Sequence, residues 1–177
     1  MSTTPENIYL LGFMGSGKSQ LGRMLARHLG RHFVDTDTQV ELGQGLTVAE
    51  IFRRFGDARF RELELQALEQ VAGRQGQVVA LGGGTPLREH AWQVIASSGT
   101  SIYIKRSPQQ LSLHLQGAAD RPLLRGIAAP DLPGYIAALL KEREKWYTRA
   151  EHTLVCEDGW TREQTFRALV QMLAEKP

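Results

Sequence analysis

Cysteine occurs once in this chain, at Cys156, which excludes an intrachain disulfide and any cysteine-built metal cluster. Long apolar runs are missing too: none approaches the ~20 residues that a membrane-spanning helix needs. Residues 1–7 are polar and carry neither a basic start nor an apolar core, so no secretory leader is expected there. Charge of one sign is nowhere blocked. Twenty-one basic residues against nineteen acidic ones give a formal net charge of +2, and their scatter argues against a dedicated nucleic-acid binder. What remains is an ordinary globular composition, 42% hydrophobic and 23% charged over 177 residues. That length suits one domain with a proper core. The expectation is a monomeric cytoplasmic enzyme with no nucleic-acid or membrane partner, and with Cys156 buried in a late strand as a small apolar residue.

Against this plain background one stretch stands out. Gly12-Phe13-Met14-Gly15-Ser16-Gly17-Lys18-Ser19 is a complete G-x-x-x-x-G-K-[ST] phosphate-binding loop. An apolar run, Ile8 to Leu11, precedes it, and a helical pattern (Leu21, Met24, Leu25, Leu29) follows. Gly12, Gly15 and Gly17 let the backbone fold tightly, so that its N–H groups, including that of Ser16, and the helix N-terminus face phosphate oxygens. Lys18 would reach the β- and γ-phosphates, and the Ser19 hydroxyl would ligate Mg²⁺. A nucleoside triphosphate is the expected ligand.

Strands and helices then alternate. His32–Asp35, Val78–Leu81, Ser101–Ile104 and Thr153–Cys156 read as strands. Thr47 with Glu50 forms a capping box that opens a helix toward Phe55, and residues 59–73 carry apolar positions at helical spacing. Thr161 with Gln164 opens a terminal helix through Leu169 and Leu173. Short apolar strands between amphipathic helices imply an α/β fold, a mostly parallel sheet covered on both faces. In such sheets ligands bind beyond the carboxyl ends of the strands. Residues 117–134 break the rhythm with three glycines and three prolines. Arg121 and Arg125 within this stretch favour a lid that delivers a guanidinium onto triphosphate.

Three further groups bear on the phosphoryl acceptor. Asp35-Thr36-Asp37 puts two carboxylates on one side of an extended chain, one for Mg²⁺ and one for a hydroxyl; a turn with a helix N-cap would suit the same residues. Gly82-Gly83-Gly84 ends an apolar strand and lets backbone approach a ligand closely. Arg61 and Glu64 share a helical face at i, i+3 spacing. There Glu64 either orients a guanidinium toward a ligand carboxylate or forms an exposed surface ion pair.

Together, Gly12–Ser19, Asp35-Thr36-Asp37, Phe60-Arg61 with Glu64, Gly82–Gly84, Arg121-Pro122-Leu123-Leu124 and Arg143 four residues before Tyr147 resemble the shikimate kinase family in order and spacing, over nearly the whole chain. The resemblance implies a three-layer α-β-α P-loop kinase fold of the nucleoside monophosphate kinase type. It would have a five-stranded parallel sheet, a lid at roughly 113–128 and a substrate-binding helical segment at roughly 37–64. It implies γ-phosphoryl transfer from ATP to the 3-hydroxyl of shikimate, with one Mg²⁺ per subunit. In that frame Arg61 and Arg143 clamp the shikimate carboxylate, and Asp37 orients or deprotonates the attacking hydroxyl. Gly82, Gly83 and Gly84 line the same pocket, Asp35 and Ser19 support Mg²⁺, and Lys18 and Arg121 neutralise the transferring phosphoryl group.

The chain departs from the family's usual pattern in two places. His114 stands where relatives commonly carry a second lid arginine, and Glu144-Lys145-Trp146 lacks the proline often found before the tyrosine. Trp160 falls near the expected adenine site, where it covers either the base or the core. Competing readings are a gluconate-type kinase, a small nucleotide kinase and a nucleotide-dependent switch that has lost its chemistry. The first two fit the acceptor-side residues poorly, and the third predicts loss of Asp37, Lys18 or the arginines, all of which are present.

Overall fold

The computed structural model describes residues 6–118 and 121–175. The expectation about the polar start thus falls largely outside the described residues, as do lid positions 119 and 120. In chain order the elements are β1 (Asn7–Leu11), α1 (Lys18–Leu29), β2 (His32–Asp35), α2 (Thr36–Gln44), α3 (Val48–Ala72), β3 (Gln77–Ala80), α4 (Glu89–Ser98), β4 (Gly99–Lys105), α5 (Pro108–Leu115), α6 (Leu132–Tyr147), β5 (His152–Val155) and α7 (Arg162–Ala174). Two short 3-10 turns, Pro122–Leu124 and Ala129–Asp131, lie between α5 and α6.

The five strands form one sheet in the order β2-β3-β1-β4-β5, and every pairing is parallel. β1 lies at the centre and is buried along its length. Its side chains alternate between two cores, as strand geometry requires. Tyr9 and Leu11 join Leu68 of α3, Ile95 of α4 and Ile136 and Leu140 of α6 on one face. Ile8 and Leu10 join Leu21 and Leu25 of α1 and Leu169 of α7 on the other. Each such side chain taken fully from water contributes roughly 1.5–3 kcal/mol, which makes this double-sided burial the main force holding the three layers. A smaller cluster of Val40, Ile51, Phe60, Leu63 and Ala67 packs α2 against α3.

Local sequence sets the helix ends. The expected capping boxes at Thr47/Glu50 and Thr161/Gln164 are formed, and a third joins Ser107 to Gln110 with Pro108 in the first turn of α5. Gly30 and Gly45 close α1 and α2 in the left-handed conformation. The two helical segments expected before Phe55 and after Arg59 run on from each other as α3, interrupted at Gly56 with φ 81° and ψ 177°.

Several elements differ from the sequence reading. α2, α4, α5 and α6 were not apparent from periodicity. α2 buries only Thr36 and Val40, and α6 begins inside the glycine- and proline-rich stretch, with Pro133 tolerated in its first turn. That stretch is therefore shorter than 117–134 suggests, and Leu113 to Leu115 of the expected lid belong to α5. β5 stops at Val155; Cys156 follows it, buried, with its N–H donated to the Lys105 carbonyl at 2.9 Å.

The break in α3 generates a prediction. A Cβ at Gly56 would meet nothing within 4 Å, so any cost of Gly56→Ala is backbone strain alone. The substitution is expected to lower unfolding free energy by about 1–3 kcal/mol. An unchanged urea midpoint would show that this junction accepts an L-residue.

Candidate active site

β1 runs straight into the phosphate loop. Gly12 (φ 143°) and Gly17 (φ 93°) adopt backbone conformations that side chains disfavour, and Gly17 caps α1. The Lys18 ammonium is buried and folds back on its own loop, donating to the carbonyls of Gly12 at 2.9 Å and Phe13 at 2.8 Å. Burial pulls its pKa down to about 8, against the opposing pull of Asp37 and Asp35. Ser16 is fully buried within the loop, and its N–H, expected to face phosphate, donates instead to the Phe13 carbonyl at 3.2 Å.

Asp35 serves two neighbours with two oxygens. Oδ2 accepts the Ser19 hydroxyl at 2.5 Å, and Oδ1 accepts the N–H groups of Asp37 and Thr38 as the N-cap of α2. The cap and the contact with the loop thus coexist. The extended chain expected for Asp35-Thr36-Asp37 is not formed: Asp35 ends β2, and Asp37 lies in the first turn of α2. The reason is the cap itself, which turns the chain into a helix at once.

The acceptor-side residues converge next to it. Arg61 Nη1 donates to Glu64 Oε2 at 2.6 Å, with side chains 17% and 3% exposed. Glu64 is buried and Arg61 largely so, which makes this a partly buried pair rather than a surface one. Thr85 donates to the other Glu64 oxygen at 3.1 Å. The Arg61 guanidinium also lies over the rings of Phe52 and Phe60. A Cβ at Gly82 would come within 2.5 Å of Asp37 Oδ1 and 2.6 Å of Glu64 Oε1, and one at Gly84 would run into the Arg61 guanidinium. Close approach is what these glycines permit. Asp37 Oδ1 is buried without a hydrogen-bond partner. Burial first, then the Glu64 and Asp35 charges, raise the Asp37 pKa to about 7. Burial also raises that of Glu64, although Arg61 opposes it.

Two cavities meet here. The larger, about 650 Å³, is lined by Met14, Gly15, Gly17, Lys18 and Ser19 of the loop and by Asp35, Arg106, His114, Trp160 and Arg162. The smaller, about 70 Å³, is lined by Arg61, Glu64, Gly84 and Arg143 with Phe52 and Phe60. Met14, Asp37, Gly83 and Arg121 border both. Arg143 is buried over the Phe13 ring, and the Tyr147 hydroxyl holds the Gly83 carbonyl at 2.6 Å. Arg125, by contrast, is exposed and borders neither cavity. His114 bonds the Gly15 carbonyl at 2.8 Å. Trp160 lines the larger cavity and also packs on the core beneath it. Sequence reasoning missed Arg106, Arg162 and Thr85. Arg106 had a signal: a charge placed directly after an apolar strand, at the edge where ligands bind.

The Asp37 environment has a consequence for stability. Its ordinary pKa of 3.8 is raised in the fold, so folding favours the protonated acid and is penalised increasingly as pH rises from about 4 to about 7. Asp37→Asn is expected to stabilise the protein at pH 8, by on the order of a few kcal/mol, and hardly at pH 4. Urea denaturation at both pH values checks this, and an equal effect at the two would overturn it.

Known proteins are similar to this chain in sequence and fold. A family model described as shikimate kinase matches residues 14–174. A shikimate kinase of Chlorobaculum tepidum is 43% identical over 83% of this chain and 80% of its own length. The solved shikimate kinase of Acinetobacter baumannii, in complex with shikimate, superposes with a TM-score of 0.88 at 31% identity, covering 98% of this chain and 96% of that one. A gluconokinase from Sinorhizobium meliloti superposes at 0.57 with 16% identity, over 97% of this chain and 93% of its own, a likeness of fold alone. With a five-stranded parallel sheet, a phosphate loop and matches of this extent, the chain belongs to the shikimate kinase family.

Proposed function

We propose that this chain transfers the γ-phosphoryl group of ATP to the 3-hydroxyl of shikimate, giving shikimate 3-phosphate and ADP in the route to chorismate and the aromatic amino acids. The observation that carries the residue assignment is Asp37, which borders both cavities with a buried oxygen lacking any hydrogen-bond partner. The larger cavity, within the ~300–1,000 Å³ usual for small-molecule sites, takes the nucleotide. The smaller takes shikimate, its carboxylate between Arg61 and Arg143, whose planar forks suit a carboxylate. Gly83 and Gly84 line the ring, whereas Gly82, expected in the same pocket, borders the larger cavity instead. Glu64 fixes the Arg61 fork from behind.

The 3-hydroxyl attacks the γ-phosphorus as the bond from phosphorus to the bridging oxygen breaks, and ADP leaves with that oxygen. Asp37 accepts the hydroxyl's hydrogen bond and takes its proton as the new bond forms. A pKa near neutrality suits a carboxylate to this task. Lys18 exchanges its loop carbonyls for β- and γ-phosphate oxygens, and Arg121, at the border of the cavities, meets the charge on the transferring group. Catalysis is then mainly positioning and electrostatics.

Ser19 and Asp35 suit Mg²⁺, one per subunit: a hydroxyl and a carboxylate oxygen side by side at the loop are the hard donors this ion accepts beside phosphate. The ion would spread charge over the β- and γ-phosphates. One chain lines both cavities, which supports a monomeric catalyst. No helix of the described residues is long and apolar enough to cross a membrane, and the single thiol is buried and unpaired. Cytoplasmic work is part of the same proposal.

ADP release measured with Mg-ATP and a panel of shikimate, gluconate and nucleoside monophosphates tests the acceptor. Shikimate alone should stimulate strongly, and stimulation by another acceptor would replace it. Asp37→Ala should lower kcat by roughly 10²–10⁴-fold while leaving ATP binding intact; near-normal turnover would remove Asp37 from its role. Arg61→Ala or Arg143→Ala should raise the acceptor KM by roughly 10–100-fold, and a collapse of ATP affinity instead would reverse the assignment of the cavities. In the free enzyme Asp37 must be ionised and Lys18 protonated. The acceptor kcat/KM should therefore rise through about pH 7 and fall beyond about 8. A profile flat across this range would contradict both assignments.

A further inference from the structure

Arg106, the residue after β4, is 8% exposed and takes no part in the mechanism above. Its Nε donates to the Ser16 carbonyl at 2.9 Å, and its Nη2 to Thr165 Oγ1 at 3.4 Å. Thr165 is fully buried in the first turn of α7, where its hydroxyl donates to the Thr161 carbonyl at 3.0 Å. The guanidinium therefore ties the phosphate loop to the capped end of the terminal helix. Among the described residues no carboxylate lies within ion-pairing distance of it. A buried cation without a counter-charge is costly, yet this one borders the larger cavity, which Gly15, Gly17 and Lys18 also line.

The contact with Ser16 also orients the loop. In a trans peptide the carbonyl and the following N–H point in opposite directions. Holding the Ser16 carbonyl toward Arg106 turns the Gly17 N–H to the opposite side of that peptide. That N–H makes no hydrogen bond with any described residue. It is open to an anion.

We propose that Arg106 is a positioning residue for the triphosphate: it fixes the Ser16–Gly17 peptide so that the Gly17 N–H meets a phosphate oxygen, and the bound phosphates supply the counter-charge its burial lacks. The inference rests on reading the larger cavity as the triphosphate site. It differs from an adenine contact because its effect follows the phosphates, with or without a base attached.

Calorimetric titration of the full chain with Mg-ATP, inorganic tripolyphosphate, adenosine and shikimate separates the alternatives. Arg106→Met should weaken ATP and tripolyphosphate by the same factor, roughly 10–100-fold, with adenosine and shikimate unchanged; KM for ATP should rise while KM for the acceptor holds. A loss confined to ATP and adenosine would make Arg106 a base contact and overturn the proposal, as would unchanged tripolyphosphate binding or a shared loss that includes shikimate. Thr165→Val keeps both shape and charge, and carries the test should the methionine variant fail to fold. It should weaken tripolyphosphate by roughly three- to tenfold, and no change would overturn the tether. Should the unaltered protein bind ATP but not tripolyphosphate, the reading of the cavity fails first, and the inference with it.

Discussion

Parallel pairing throughout the sheet is the constraint from which the site follows. β1 is bonded to β3 and β4 on its two edges, with Leu10 opposite Ala80 and Leu11 opposite Tyr103, while Asp35 lies opposite Ala80 and Lys105 opposite Val155. β2 and β3 end at one level and β1 one residue beyond it, β4 and β5 run two residues further, and the chain leaves all five at the same edge of the sheet. Because both faces of the sheet are covered by helices, the central strand's side chains belong to the core. The residues that end a strand or follow it closely reach the site: Gly12 after β1, Asp35 at the end of β2, Gly82 two residues after β3 and Arg106 after β4. Four segments distant in sequence supply one site without any long loop to bring them together.

Crowding ionisable groups at this edge creates opposite problems that the fold handles differently. Lys18 satisfies itself on the carbonyls of Gly12 and Phe13. Glu64 is satisfied by Arg61 and Thr85. Asp37 Oδ1 is left unsatisfied, a state that costs free energy unless a donor arrives. In the proposed mechanism the donor is the acceptor's hydroxyl, so binding relieves a penalty already present in the free protein. The phosphates, in turn, have to outcompete two carbonyls for the Lys18 ammonium, which they do as full anions against dipoles.

How much of this could be read in the sequence depended on whether a residue's role is local. The phosphate loop, the capping boxes at Thr47 and Thr161 and the strands 32–35 and 78–81 are local patterns, and they stand almost where they were expected. Asp35 was ambiguous between cap and metal-side ligand because a single carboxylate can do both with different oxygens. The burial of Arg61 and Glu64 was invisible: i, i+3 spacing on a helix says that two side chains meet, but not which neighbouring elements cover them. Arg106 escaped for the same reason, since its partners Ser16 and Thr165 lie 90 and 59 residues away. Periodicity did not reveal α2 or α6, because one buries too little and the other begins in residues that usually end helices; α2 was covered only by the helical segment that the resemblance implied.

The most consequential residue on the acceptor side contributes no side chain at all. With only hydrogen at Gly82, the carboxylates of Asp37 and Glu64 can both close on the space beside it. Their proximity is one of the causes, after burial, that raise the Asp37 pKa toward neutrality. A larger residue there would force the two carboxylates to move, changing the Coulomb repulsion between them. It would also shift the water-excluding contacts around Glu64, and with them the fork of Arg61. The glycines at the end of β3 thus act on the proposed base through electrostatics as much as through space. Burial, with a second acid drawn close beside a bare backbone, gives a carboxylate that holds its proton to about pH 7, whereas a solvated aspartate gives it up in the acid range and is a poorer proton acceptor.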